Sequence, residues 1–148
     1  YTPTPWFTVD ADYAWSHARF TDREPDGEYV PEALVQTFDG GIAFHDLDGA
    51  FDKFSFGARL RYFGPRPLTQ TGAIQSRATT LVYADLGYAL SERWRVALDV
   101  FNLLNTRASD IDYYYQSVLP GEPLAGVNDI HTHPAEPREF RMAITARL

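Results

Sequence analysis

Cysteine is absent and methionine occurs once. Without a thiol there is no disulfide, no thiolate zinc site and no cysteine nucleophile. Positive charge is also scarce. Thirteen Lys and Arg stand against 20 Asp and Glu, giving a net charge of -7 and a pI near 4.9. Such a chain lacks the basic face that non-specific nucleic-acid binding needs to neutralise phosphates. No apolar run approaches the ~20 residues of a transmembrane helix, and the mean hydropathy is -0.32. No signal peptide precedes the first strand-like segment. The chain opens abruptly at "YTPTPWF", which reads as a turn, so a fragment or processed product is expected. Helical periodicity is missing nearly everywhere.

What recurs instead is period-two alternation, the mark of a strand whose side chains point to opposite faces in turn. In "KFSFGARLRYF" (53–63) the residues Phe54, Phe56, Ala58, Leu60 and Tyr62 share one face. Lys53, Ser55, Gly57, Arg59 and Arg61 share the other. "WFTVDADYAW" (6–15) sets Phe7, Val9, Ala11, Tyr13 and Trp15 against Thr8, Asp10 and Asp12. "TLVYADLGYAL" (80–90) has Val82, Ala84, Leu86 and Tyr88 on one side, and Asp85 falls on the other. "WRVALDVFNLL" (94–104) sets Trp94, Val96, Leu98 and Val100 against Arg95 and Asp99. The last segment sets Phe140, Met142, Ile144, Ala146 and Leu148 against Glu139, Arg141, Thr145 and Arg147. "ALVQTFDGGIAFH" (33–45) alternates less cleanly, because Gln36 joins its apolar side.

About six strands are therefore expected, in an all-β antiparallel up-and-down meander. The links between them alternate in length. "DLDGA" and "LSER" are tight turns, whereas "TDREPDGEYVPE", "GPRPLTQTGAIQSRA" and the stretch from Asn105 to Pro137 are long. In an up-and-down sheet this sorts short turns to one end and long loops to the other, as in outer-membrane barrels. Aromatics cluster near strand ends (Phe7, Tyr13, Trp15, Tyr62, Tyr88, Trp94, Phe140), as interfacial girdles do. On this basis Phe54, Phe56, Leu60, Trp94, Val96, Leu98, Phe140, Met142, Ile144 and Leu148 are assigned to lipid. Asp10, Asp12, Arg59, Arg61, Asp85, Arg95, Asp99 and Arg141 are assigned to the lumen wall. Six strands do not close a membrane barrel, since known ones start at about 8, so a larger barrel is expected. A soluble β-barrel or sandwich binding a small ligand stays open as an alternative, as does a small outer-membrane enzyme barrel.

Three groups of residues invite a chemical role. His131-x-His133 with Asp129 has ligand types suited to a transition metal. No third strong ligand is evident, however, and Pro134 and Pro137 mark the region as loop, so no metal site is assigned. Tyr113, Tyr114 and Tyr115 lie in the longest connection, where tyrosine offers stacking area and a polar tip to a bulky ligand. The carboxylate pairs Asp10/Asp12 and Asp110/Asp112 stand near no nucleophile constellation, so neither catalysis nor a cofactor is expected.

The chain resembles the C-terminal end of the β-barrel of TonB-dependent outer-membrane receptors. The resemblance runs through "PWFTVDADYAWSHARF", "RLRYFGPRPL", "TTLVYADLGYAL", "WRVALDVFNLLN", "DIDYYYQSVLPGEP" and "HTHPAEPREFRMAITARL". Its most diagnostic pair is Asn102-Leu103-Leu104 closing the penultimate strand and Pro137-Arg138-Glu139-Phe140 opening the last. The resemblance implies a Gram-negative outer-membrane location, with a periplasmic C-terminus and extracellular long loops. It also implies a remaining barrel and plug domain, TonB as a partner through an N-terminal part, and import of a scarce nutrient such as a ferric siderophore. Family members usually end in an aromatic residue where this chain has Leu148.

Overall fold

The period-two alternation is realised as extended chain, in eight strands. The computed structural model describes residues 1–22, 25 and 27–147. Leu148 lies outside the described residues. The strands are β1 (Phe7–Trp15), β2 (Gln36–Phe44), β3 (Phe54–Phe63), β4 (Thr79–Ala89), β5 (Trp94–Phe101), β6 (Ser109–Ser117), β7 (Val127–Pro134) and β8 (Glu139–Ala146). β1-β2-β3-β4-β5-β8 form one antiparallel sheet, and β6 pairs with β7 as a separate hairpin. The main sheet is the six-stranded meander expected from sequence.

The hairpin is a difference: the stretch from Asn105 to Pro137 is not open loop. Tyr113, Tyr114 and Tyr115 lie on β6, and His131 and His133 lie on β7. β5 also stops at Phe101 and not at Leu104. Asn102 and Asn105 both take left-handed backbone (φ 47° and 50°), which turns the chain out of the ladder.

Register carries the alternation across strands. Phe7, Phe44, Phe56, Leu86, Leu98 and Met142 lie opposite one another in a single row through all six strands. Val9, Ile42, Ala58, Ala84, Val100 and Phe140 form the next row. Every described residue assigned above to lipid falls on this face, and every residue assigned to the lumen wall falls on the other. Cross-strand apolar and aromatic pairs of this kind contribute roughly 0.2–1 kcal/mol each. Rings gather at the short-turn end: Phe7 against Phe44 at 4.9 Å and Phe54 against Tyr88 at 4.8 Å between centroids.

No second layer packs on this sheet among the described residues. The accessible surface is 10721 Å², where a folded globule of this mass exposes roughly 7,600 Å². Leu68 is the one buried hydrophobic residue among those described. That is not a sandwich, which buries one face of each sheet against the other. The aliphatic face, with Ile42, Leu60, Leu86, Met142 and Ile144 all exposed, stands uncovered.

The connections sort as expected. The links 45–53 and 90–93 lie at one end of the sheet, and 16–35, 64–78 and 102–138 at the other. The long ones are built structures. Pro67 pairs with Gln75, and Arg19 with Tyr29, across bridges within their own loops.

Candidate functional site

On the polar face the side chains meet across strands. Asp10, Gly41 and Arg59 are direct neighbours in register on β1, β2 and β3. Arg59 reaches over β2 to hold Asp10 with both oxygens at 2.8–2.9 Å. It can do so because position 41 has no side chain. A Cβ there would sit 2.9 Å from the Arg59 Nη2. Arg59 also pairs with Asp39, which accepts a second bond from Arg61 Nε at 3.0 Å. Arg61 lies over the Tyr83 ring (5.9 Å), Tyr83 meets Phe101 edge-on (6.1 Å), and Arg141 lies over Phe101 (4.6 Å). One chain of charge and ring contacts thus crosses β1 to β8 on this face. Each pair is partly exposed, with Arg59 at 41% and Asp39 at 26%. A single such pair in water contributes about 0–1 kcal/mol, so the effect lies in orienting a row of guanidinium groups.

Four lumen-wall candidates belong to this row: Asp10, Arg59, Arg61 and Arg141. The other four do not. Asp12, Asp85 and Asp99 make no ion pair with a described residue, and Arg95 donates to Ser55 Oγ at 2.5 Å. Asp39, Tyr83 and Phe101 complete the row without having been singled out in the sequence. The signal for Asp39 was its place on the Asp/Arg side of β2, obscured there by Gln36 and two glycines.

At the long-loop end the hairpin stands on a buried clasp. Asn102, 3% exposed, donates from Nδ2 to the Thr106 and Glu136 carbonyls at 3.0 and 2.9 Å. Its Oδ1 accepts from the Thr106 backbone N–H at 2.9 Å. Asn105 Oδ1 accepts from the Arg138 N–H at 3.1 Å. Both ends of the excursion are thereby joined at one point. This gives a physical reason for an Asn-Leu-Leu-Asn sequence at the end of β5.

On the hairpin the three tyrosines separate. Tyr113 faces His131 and Tyr115 faces Asp129 in register, on the side that also carries His133. Tyr114 pairs with Ile130 on the other side. Tyr115 and His131 stack at 3.8 Å and 14°. No group of three metal-binding side chains forms among the described residues, so the two histidines gain no third ligand. His133 lines a groove of about 300 Å³ together with Leu81, Tyr83, Phe101 and Asn102. The histidine side of the hairpin is therefore continuous with the polar face of the sheet. Asp112, 4% exposed, accepts from Ser109 and Thr132 hydroxyls on the opposite side.

The three long connections are tied to one another. The Tyr29 and Glu32 amides donate to Gln70 and Pro67 carbonyls at 3.0 and 2.7 Å. Arg66 Nη2 and Thr79 Oγ1 donate to the Asp110 and Ser109 carbonyls at 3.3 and 2.6 Å. The 64–78 loop, which holds Leu68, is the middle member.

An uncovered two-faced antiparallel sheet with sorted connections defines the class: a section of β-barrel wall. Solved structures place it further. The chain is similar to the ferric-catecholate import receptor Fiu from Escherichia coli K12. In its closed form the identity is 22% and the TM-score 0.71, over 97% of this chain and 19% of that one. In its open form the TM-score is 0.63 at 21% identity, with the same coverage. A mutant of the ferric enterobactin receptor PfeA from Pseudomonas aeruginosa matches at a TM-score of 0.64 and 15% identity, over 97% of this chain and 20% of that one. The fold is thus the one the sequence resemblance implied, that of a TonB-dependent receptor barrel. The chain spans about a fifth of the length of the structures it matches. No protein-family model and no curated protein matches the sequence.

Proposed function

We propose that this chain is the C-terminal barrel segment (1–148) of a TonB-dependent outer-membrane receptor that imports a bulky scarce nutrient such as a ferric siderophore. The observation that carries this is the six-stranded sheet with one uncovered aliphatic face, one charged face and loops sorted by end, matched over 97% of the chain by a ferric-catecholate import receptor. In this reading the aliphatic face meets lipid and the charged row lines the lumen against the plug. The long connections lie outside the cell, the C-terminus is periplasmic, and TonB acts through an N-terminal part. The role of the segment is scaffolding and ligand guidance, not catalysis. Tyr113, Tyr114 and Tyr115 belong to the ligand entrance, with Tyr113 and Tyr115 on the side continuous with the lumen wall.

The test is made in the organism that carries the gene. Cells are fractionated, the gene is deleted, and uptake of radiolabelled iron as ferric catecholate is measured under iron limitation. The protein is expected in the outer-membrane fraction, and uptake is expected to fall in the deletion strain and return on complementation. Recovery of the protein as a soluble monomer without detergent overturns the barrel assignment. Unchanged uptake of every ferric siderophore tried overturns the substrate class and leaves the barrel standing.

A further inference from the structure

At the short-turn end of the polar face, Arg93 and Arg147 stand directly across from each other. Register pairs Arg95 with Thr145, and the Arg147 amide donates to the Arg93 carbonyl at 2.8 Å, which extends the ladder by one step. Like charges placed directly opposite on one face repel and destabilise a strand pair. Arg93, Arg95 and Arg147 make no ion pair with any described residue. All three line one cleft of about 580 Å³, with Ser91, Thr145 and one carboxylate, Glu92, beside them. Arg95 lines the cleft with its stem and turns its head the other way, across Gly87 on β4 to Ser55 Oγ on β3, where a Cβ on Gly87 would lie 2.6 Å from its Nη2; Arg93 and Arg147 are the facing pair. In a chain of net charge -7, three arginines that pair with no described residue stand against one carboxylate in this recess, a local reversal of sign.

We infer that this cleft is an oxyanion site, in which the forked guanidinium groups of Arg93 and Arg147 take a carboxylate or phosphate group. The cleft suits such a group for three reasons. Guanidinium forks match two-oxygen anions and hold them by charge-assisted bonds. The hydroxyls of Ser91 and Thr145 offer further donors. An anion shared between Arg93 and Arg147 also removes the repulsion that their apposition otherwise imposes. The inference uses only the charged face and does not depend on what is imported. Under the proposed function, the cleft opens to the barrel interior near its periplasmic end, where acidic groups of an inserted segment would reach it.

The experiment uses the full-length protein that carries this chain, purified into nanodiscs of zwitterionic lipid. Inorganic phosphate and a hexaglutamate peptide are titrated separately at matched ionic strength, because exposed charges are screened by salt. Saturable binding of either probe supports the site, and which probe binds tells phosphate from carboxylate. R93Q and R147Q are expected to weaken binding on the order of tenfold each, the loss of one charge-assisted bond. K53Q, on the same face outside the cleft, is expected to leave it unchanged. Without anion, R93Q or R147Q is expected to raise the thermal midpoint or leave it level, as repulsion is relieved. No binding of either probe overturns the inference, as does binding that survives the double variant R93Q/R147Q. An Arg-dependent shift seen only in anionic-lipid nanodiscs also overturns it, by assigning the arginines to the membrane surface. Uptake unchanged by deletion of the gene, with anion binding intact, would tell against the import reading alone.

Discussion

Gly41 shows how much one missing side chain does here. It lies between Asp10 and Arg59 in register, and its vacancy is the path by which Arg59 crosses β2. Gly41→Val would fill that path. The ion pair to Asp10 is expected to break while the strand itself tolerates valine. The measured cost should be modest, about 1 kcal/mol, because the pair is half exposed. A double-mutant cycle with Asp10→Asn checks it: the two effects are expected not to add. Asn102 is the opposite case, a side chain that is buried and fully used. Asn102→Ala removes three hydrogen bonds and leaves a left-handed φ on alanine, which lacks the polar side chain that eases this conformation for asparagine. A loss of about 2–4 kcal/mol is expected from the unmade bonds and the strain, read as a lowered thermal midpoint in detergent. Asn102→Asp keeps the acceptor but turns a carboxylate oxygen onto the Thr106 and Glu136 carbonyls in a buried site, so its loss is expected to be at least as large as that of Asn102→Ala.

Among the elements, the β6–β7 hairpin carries two exposed tyrosines, Tyr113 and Tyr115, apart from the main sheet. The Tyr115–His131 stack gives that surface its order. Tyr115→Ala is expected to loosen the hairpin and to lower apparent affinity for a bulky ligand, with Tyr113→Ala doing the same from the same side. Tyr114→Ala, on the other side, is expected to change affinity least. Uptake measured against ligand concentration separates these outcomes. The 64–78 loop couples its neighbours, and Gly72 is part of the fit, since a Cβ there would lie 2.9 Å from the Tyr29 ring. Gly72→Val also forces a side chain onto φ 71°. It is expected to separate the first two loops and expose backbone near Tyr29 to protease, while the strands stay protected.

At the scale of the molecule, the sheet is an open wall with more surface than a globule of its mass. Its stability depends on what covers the aliphatic face. A charge on that face tests the assignment: Leu60→Arg is expected to cost roughly 2–4 kcal/mol near the bilayer midplane, and Val96→Arg less, because it lies in register with Phe54 and Tyr88 near the short-turn end; both are expected to reduce the amount assembled in the outer membrane. Asp12→Arg, on the charged face, is expected to assemble normally. Equal assembly of all three would place Leu60 and Val96 away from lipid. Much of this architecture was legible in sequence. Phe54, Phe56, Leu60 and their alternating neighbours contrast strongly with Arg59 and Arg61, and a period of two is a local property that needs no partner. The hairpin was not legible, because both of its sides mix Tyr with polar residues and neither is plainly greasy. His131 and His133 therefore suggested a metal pair in a loop, when they are positions on one side of a strand.

The six strands of the main sheet, their two faces and the alternation of short and long links were determined by the sequence itself, because backbone geometry assigns each side chain a face without reference to any other strand. Tertiary structure alone decided which residues meet. The bridge from Asp10 through Gly41 to Arg59, the clasp of Asn102 on Glu136, and the apposition of Arg93 and Arg147 all depend on register. Register is set by pairing between segments far apart in the chain, and a slip of one residue would turn every side chain of a strand to the other face.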